Sequence, residues 1–235
     1  MSTNTQPHVN QARDDDAVQT VQKYRETDDK LFMSLDEAVI LCEALADEVR
    51  SSGFAADAVV GIANGALLPT RVIADRLGMP CEYVRYRRQG STIKRRLGKV
   101  PGLRELVVWL YSFKAVANRL APIMDSFNRL DSDSAKDNDS TSGFPGDGRV
   151  LLVDDAIDSG QSIAIACEQL RARGAQEIRT AVITWSDAHD SMTNFGIKPE
   201  YYLNRRVQHY PWSENNKEIQ AYRAWLSAHD LYEWQ

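Results

Sequence analysis

The chain has 235 residues, of which 43% are hydrophobic and 26% charged, enough for one α/β domain with additions or two small domains. Its formal net charge of −5 argues against nucleic acid as a partner. The sequence has neither a signal peptide pattern nor a run of about 18 apolar residues, so we expect a cytoplasmic protein without a membrane span.

The N-terminal residues differ in composition from the rest. Residues 1–28 are rich in Asp, Gln, Asn and Thr and lack apolar periodicity, which predicts a mobile polar tail. We expect the folded domain to cover residues 29–235. At its start Ser34 and Glu37 have capping-box spacing, and apolar residues recur at helical intervals up to position 51. This pattern predicts the first helix of the domain.

Two strand candidates follow that helix. Residues 58–62 form an apolar run without alternation, as in a parallel sheet. Asn64 and Gly65 then turn the chain into a helix that should end near Gly78. Residues 81–87 form the second strand candidate.

Residues 88–148 interrupt this alternation and are predicted to be an insertion. Seven Lys and Arg residues, with no acid among them, lie between positions 85 and 99. An amphipathic helical pattern runs from Leu103 to about residue 130, and a polar linker, expected to be mobile, fills 131–148. The basic run could close over a bound anion, bind RNA or an acidic partner, or form a solvated surface. The helix would pack on the domain itself or on a second copy of the chain, so a homodimer is one expected assembly.

Regular structure resumes after the linker. Residues 149–153 read as a strand, and a helix should run from about Ser162 to Arg173. Further strands are expected at 177–185 and 201–203, and a last helix should be capped by Ser213. Strands that alternate with helices predict an α/β fold, with a mostly parallel sheet flanked by helices.

The segment from Val150 to Ser162 suggests a chemical function. Asp154 and Asp155 follow the strand directly, at the carboxyl edge where open α/β sheets bind their ligands. Residues 157–162 then bring backbone amides and two hydroxyls to the start of a helix, which favours a phosphate monoester. Acceptors for sugar hydroxyls beside donors for a phosphate suit a ribose 5-phosphate.

Residues 154–162 read DDAIDSGQS and resemble the signature with which type I phosphoribosyltransferases bind 5-phosphoribosyl-1-pyrophosphate (PRPP). The resemblance implies that family's fold, with 88–148 as a helical insertion and 185–235 as a hood and C-terminal helix. It also implies that Asp154 and Asp155 hold the ribose hydroxyls and help to order Mg²⁺, the expected cofactor. Asp158 would accept a proton from the acceptor and complete the catalytic set. The predicted PRPP-binding residues are Asp154, Asp155, Ala156, Ile157, Asp158, Ser159, Gly160, Gln161 and Ser162.

A second stretch, from Val59 to Pro80, resembles the pyrophosphate loop and following helix of bacterial xanthine-guanine phosphoribosyltransferases, the nearest members in pattern. By this resemblance Ala63, Asn64 and Gly65 bind pyrophosphate. Relatives have a cation where Asn64 stands, so one pyrophosphate contact should be weaker or come from elsewhere.

The acceptor side matches the family less well. Purine-specific members have a lysine after the strand that follows the PRPP helix, but residues 181–189 contain none, so guanine, xanthine and hypoxanthine should be poor substrates. The sequence His209-Tyr210-Pro211-Trp212 does resemble their aromatic hood. Four residues are predicted to line the acceptor site, although each could equally pack in the core: Trp185, His209, Tyr210 and Trp212.

These features together predict a Mg-dependent transferase that moves the 5-phosphoribosyl group from PRPP to a nitrogenous acceptor and releases pyrophosphate. The expected partners are PRPP and a small-molecule acceptor, foremost a nucleobase as in purine salvage. One alternative is a regulatory protein of the same fold that senses PRPP or a nucleotide and has little catalytic activity. Another is a transferase whose acceptor is not a nucleobase.

Overall fold

The computed structural model describes residues 6–85, 148–186 and 197–234, with side chains described from residue 15 onwards. All of these residues belong to one compact unit, which comprises residues 1–86 and 143–235. The predicted insertion at 88–148 therefore falls, apart from Gly148, outside the described residues.

The described part of the chain alternates between helices and parallel strands. Its strands are β1 (Ala58–Ala63), β2 (Cys81–Arg85), β3 (Arg149–Ile157), β4 (Glu177–Trp185) and β5 (Tyr201–Asn204). Its helices are α1 (Gln6–Glu26), α2 (Leu35–Ser51), α3 (Leu67–Leu77), α4 (Gln161–Ala172) and α5 (Ile219–Ala228).

The five strands form one sheet in the order β2-β1-β3-β4-β5, and every neighbouring pair is parallel. This arrangement confirms the predicted fold class. The strand order reverses between β1 and β3, whose register aligns Val59 with Leu151 and Gly61 with Val153. Ligands of open α/β sheets bind outside the carboxyl ends of the strands at such a reversal. We therefore expect a ligand-binding site at the loops after β1 and β3.

Alternation along β3 fills two hydrophobic cores, one on each face of the sheet. Leu151 and Val153 are fully buried in the core that α2, α3 and α5 cover. Val150 and Leu152 are fully buried on the opposite face, where α4 packs with residues such as Ile163. A strand buried on both faces explains the continuous apolar run in the sequence.

Two local sequence signals have the structural roles that we predicted. At the start of α2 the Ser34 hydroxyl accepts from the Glu37 amide, and the Glu37 carboxylate accepts from the Ser34 amide. Gly78 ends α3 with φ of +70°, in the left-handed region that glycine tolerates best.

The prediction of a mobile polar tail over 1–28 is wrong for residues 6–26, which form α1. Tyr24 is fully buried near the end of this helix, and its hydroxyl donates to Glu37 Oε2 at 3.1 Å. The Lys23 ammonium pairs with the same carboxylate, and Val21 packs against the core. Composition was misleading because two side chains in the last turns of α1, Val21 and Tyr24, are enough to connect the helix to the core.

The last helix begins later than predicted, at Ile219, and Ser213 does not cap it. The Ser213 amide instead donates to the Tyr210 carbonyl in a turn. Asn216 organises this region, since its side chain accepts from the Glu218 amide and donates to the His209 carbonyl. The helix that follows the predicted PRPP loop begins one residue earlier than predicted, because α4 starts at Gln161 rather than at Ser162. No helix in the described ranges is long and apolar enough to cross a membrane.

Candidate active site

The loops after β1 and β3 touch each other at Gly65 and Asp155. A methyl group placed on Gly65 would lie 2.6 Å from Asp155 Oδ2 and 2.7 Å from Asp155 Cγ, closer than atoms can approach. Only glycine fits this position without displacing the carboxylate. The predicted pyrophosphate loop, in which the Ala63–Asn64 peptide bond is cis, therefore lies directly beside the predicted PRPP acids.

Two donors from different parts of the chain hold the Asp155 carboxylate. The Ala156 amide donates to Oδ1 at 2.7 Å, and the Trp212 indole Nε1–H donates to Oδ2 at 2.8 Å. Burial raises the pKa of Asp155, and the hydrogen bonds from Trp212 and Ala156 oppose that rise. Asp155 is thus a fixed carboxylate whose ionised form depends on these donors.

Asp154 lies beside it at the end of β3 and is almost completely buried, with 8% of its surface exposed. Its Oδ1 accepts a hydrogen bond from the Asp155 amide at 2.9 Å. Mg²⁺ prefers oxygen ligands and is usually held by one or two carboxylates together with water and substrate phosphates. The described residues contain no cluster of three metal-binding side chains, but this adjacent carboxylate pair fits such a site.

The predicted phosphate loop leads into α4 as the sequence suggested. Asp158 is exposed, and Gly160 has φ of +79° as the residue before the helix. A methyl group on Gly160 would lie 3.4 Å from Ile197 Cβ, so residue 197 packs against the loop. The first amides of a helix lack intrahelical acceptors and attract anions. The start of α4 can therefore receive a phosphate.

Tyr210 and Trp212 lie close to Asp155 in the hood. Their rings stack at 5.0 Å between centroids with an interplanar angle of 6°. The Tyr210 hydroxyl donates to Thr184 Oγ1 at 2.6 Å, and Thr184 donates to Asn204 Oδ1. Burial and the nearby Asp155 carboxylate raise the pKa of Tyr210 well above its usual value. Tyr210 therefore packs as a buried, neutral support for Trp212.

Trp185 and His209 have different surroundings. Trp185 pairs with Ile157 in the register of β4 and β3 and packs in the core on the α4 face. The Arg205 guanidinium lies 3.8 Å from the centroid of the Trp185 ring, and Lys198 Nζ lies at 5.8 Å. His209 stacks on Phe32 with ring centroids 4.2 Å apart. Only two of the four predicted acceptor residues therefore pack together with Asp155.

One further contact at this site was not predicted. The Asn64 side chain donates from Nδ2 to the Trp234 carbonyl at 2.8 Å, and the Trp234 amide donates to Asn64 Oδ1 at 2.9 Å. Asn64, Gly65, Trp212 and Trp234 line part of a cavity with a volume of about 800 Å³. No local pattern links residues 64 and 234, so only the folded chain reveals this contact.

Comparisons with known proteins bear on the family and the fold of the chain. A family model described as phosphoribosyl transferase domain matches residues 34–196. A xanthine-guanine-hypoxanthine phosphoribosyltransferase from Helicobacter pylori is 11% identical, with 82% of this chain and 99% of that chain covered and a TM-score of 0.50. At this identity the likeness shows the fold alone.

Two further solved structures are similar. A purine phosphoribosyltransferase from Pyrococcus horikoshii is 20% identical, with 79% of this chain and 95% of that chain covered and a TM-score of 0.48. A Neisseria gonorrhoeae protein described as hypothetical, with bound ppGpp, is 18% identical, with 87% and 99% covered and a TM-score of 0.47. No curated protein matches the sequence.

Proposed function

Because the chain belongs to the phosphoribosyl transferase domain family, we propose that it transfers the 5-phosphoribosyl group of PRPP to a nitrogenous acceptor, releasing pyrophosphate with Mg²⁺ as cofactor. The observation that carries the proposal is the contact between Gly65 and Asp155. It joins the loop that would bind pyrophosphate to the acids that would bind ribose. A substrate that carries a pyrophosphate group on the ribose carbon next to a hydroxyl-bearing carbon could span the two loops.

The ribose hydroxyls, the 5-phosphate and the pyrophosphate of PRPP would each bind at a different place in the site. The carboxylates of Asp154 and Asp155 would accept hydrogen bonds from the ribose hydroxyls, and charge makes such bonds stronger than neutral ones. Backbone amides at the start of α4 would donate to the 5-phosphate. The loop at residues 63–65 would receive the pyrophosphate.

The same residues would act during the reaction. The chemistry that Mg²⁺ supplies when bound is neutralisation of charge on the leaving pyrophosphate. The carboxylates of Asp154 and Asp155 would balance positive charge that develops on the ribose ring. The exposed Asp158 would accept the proton that the attacking nitrogen loses.

The acceptor is proposed to be a nucleobase. We expected oxo-purines to be poor acceptors, since no lysine follows β4. However, Arg205 and Lys198 place positive charge beside Trp185 at the end of that strand. Trp185 does not pack together with Asp155, so these cations leave the expectation unchanged, and oxo-purines belong among the acceptors to be tested.

A second candidate function is a regulatory protein that binds PRPP or a nucleotide with little turnover. One observation favours it: both hydrogen-bonding groups of the Asn64 amide are engaged by Trp234 in the loop that should receive pyrophosphate. Such a protein would bind PRPP without releasing pyrophosphate, whatever acceptor is supplied.

The test is pyrophosphate release from PRPP with Mg²⁺, measured against a panel of purines, pyrimidines and amines. We expect at least one acceptor to support turnover in the wild type. Asp158→Asn should still bind PRPP but lose about 10²- to 10⁴-fold in rate, the usual contribution of a positioned base. Asp75→Asn, an exposed change on α3, is the control. PRPP binding without turnover on the whole panel would favour the regulatory function.

A further inference from the structure

The segment Leu231–Trp234 lies against the predicted pyrophosphate loop, and we call it the C-terminal strap. At its tip, the Trp234 backbone and the Asn64 side chain exchange two hydrogen bonds of 2.8 and 2.9 Å. One bond uses the amide nitrogen of Asn64 and the other uses its oxygen. The strap thus occupies an acceptor and a donor that the loop could otherwise offer to a ligand.

The strap is also fastened at its root and along its length. The Leu231 amide donates to the Leu226 carbonyl at 2.9 Å, and Leu231 packs against the hydrophobic core. The Glu233 carboxylate pairs with the Arg223 guanidinium of α5 at 3.3 Å. These contacts hold the root near α5. Among the described residues, the polar contacts to be broken when the tip opens are the two bonds to Asn64 and the pair between Glu233 and Arg223.

Two features destabilise the closed strap, and the first of them acts only when an anion is present. The carboxylates of Glu214 and Glu233 line the same cavity as Asn64 and Gly65, with Arg223 as the only cation in the described lining. A pyrophosphate group would be repelled by this arrangement.

The second feature is a buried hydroxyl without a hydrogen-bond partner, in the vicinity of the strap residue Glu233. The Tyr222 hydroxyl is fully buried and has no hydrogen-bond partner among the described residues. It lies near the carboxylates of Glu233 and Asp155, which together with burial raise the pKa of Tyr222. A buried hydroxyl without a partner costs free energy that is recovered when water reaches it.

We propose that the strap is an autoinhibitory contact that competes with the pyrophosphate end of PRPP for Asn64 and its loop. Binding of Mg-PRPP would displace Trp234 from Asn64. This inference rests on the proposed function, because it places the pyrophosphate at residues 63–65. It also gives Asn64 a role that a cation could not fill, since Lys and Arg side chains donate hydrogen bonds but cannot accept one from the Trp234 amide.

Trp234→Pro tests the competition without altering any residue placed in the binding site. Proline has no amide N–H, so this variant loses the bond to Asn64 Oδ1. In calorimetric titrations with PRPP and Mg²⁺ we expect it to bind about three- to tenfold more tightly than the wild type, as one hydrogen bond would allow. Trp234→Ala keeps the N–H and is the matched control, which should bind like the wild type.

Hydrogen exchange of the Trp234 amide in the wild type gives a second measurement. Saturating Mg-PRPP should accelerate its exchange, because the acceptor on Asn64 is lost. A folded Trp234→Pro that binds no more tightly, or an amide whose exchange is unchanged or slower, overturns the inference. If the variant does not fold, exchange in the wild type alone decides. If PRPP binds neither wild type nor variant, the proposed function fails and this inference with it.

Discussion

Replacing Trp212 with phenylalanine should remove one hydrogen bond at the candidate site and leave the packing largely intact. The indole Nε1–H donates to Asp155 Oδ2 at 2.8 Å, while the ring stacks on Tyr210 and contacts Tyr222. A phenyl ring can keep the aromatic contacts but cannot donate. Trp212→Phe therefore isolates the role of this donor in holding Asp155.

The expected magnitude depends on pH, because the acceptor is an ionisable group. Hydrogen bonds to charged groups contribute about 1.5–3 kcal/mol, so Trp212→Phe should lower the free energy of unfolding by that amount at neutral pH. Burial raises the pKa of Asp155 above its unfolded value, and the loss of Trp212 should raise it further. The folded protein then binds this proton more readily than the unfolded chain, so stability is lost as pH rises through the folded pKa. The difference in the free energy of unfolding between wild type and Trp212→Phe should therefore become smaller as pH falls and Asp155 is protonated.

Urea unfolding of wild type and Trp212→Phe, from neutral to mildly acidic pH, measures this difference. Trp225→Phe is the matched control, because Trp225 donates to no carboxylate among the described residues and stacks on His229. The loss of unfolding free energy caused by Trp225→Phe should not change when Asp155 is protonated. A deficit of Trp212→Phe that is the same at every pH, or that matches the control, would refute the role of Trp212 as the donor to an ionised Asp155.

Three further changes test other contacts. Gly65→Ala should weaken PRPP binding because its methyl group displaces Asp155. Gly78→Ala is the control, because its methyl group meets no atom within 4 Å. It should lower the free energy of unfolding in calorimetry by about 1–2 kcal/mol and leave PRPP binding unchanged. Ser34→Ala should lower the melting temperature through loss of about 0.5–2 kcal/mol from the capping box of α2, with equal stability contradicting that role. Thr184→Val leaves the buried Tyr210 hydroxyl without its 2.6 Å partner and should cost about 1–3 kcal/mol in urea unfolding; an unchanged midpoint would show that water replaces it.

The parts of the fold that local patterns specify could be predicted from the sequence. The apolar run at 150–153 marks a strand because both faces of a central parallel strand are buried. The acids that follow it and the start of α4 are contiguous in the chain, so a single segment describes them. The capping box of α2 is equally local. The mostly parallel sheet followed from the alternation of strands with helices and from the family resemblance, whereas the order of the strands was not predicted.

Contacts between distant residues could not be predicted in this way. Trp212 reaches Asp155 across 57 positions and Trp234 reaches Asn64 across 170, and no spacing rule connects them. The direction of a ring is equally inaccessible: Trp185 packs against the core on the α4 side and contacts Arg205, although its position at the end of β4 suggested the acceptor site. Helix α1 was missed because its contacts with the core come from two residues near its end, Val21 and Tyr24, which form no apolar period.

Calorimetric titration of PRPP into the protein, with and without Mg²⁺, tests most directly whether the loop at 154–162 is a PRPP site. We predict saturable binding that requires Mg²⁺ and that Asp155→Asn weakens by about 10- to 100-fold, as loss of one charged hydrogen bond implies. Asp75→Asn should bind like the wild type. Absence of binding by the wild type in the presence of Mg²⁺, or undiminished binding by a folded Asp155→Asn, would contradict the assignment of this loop.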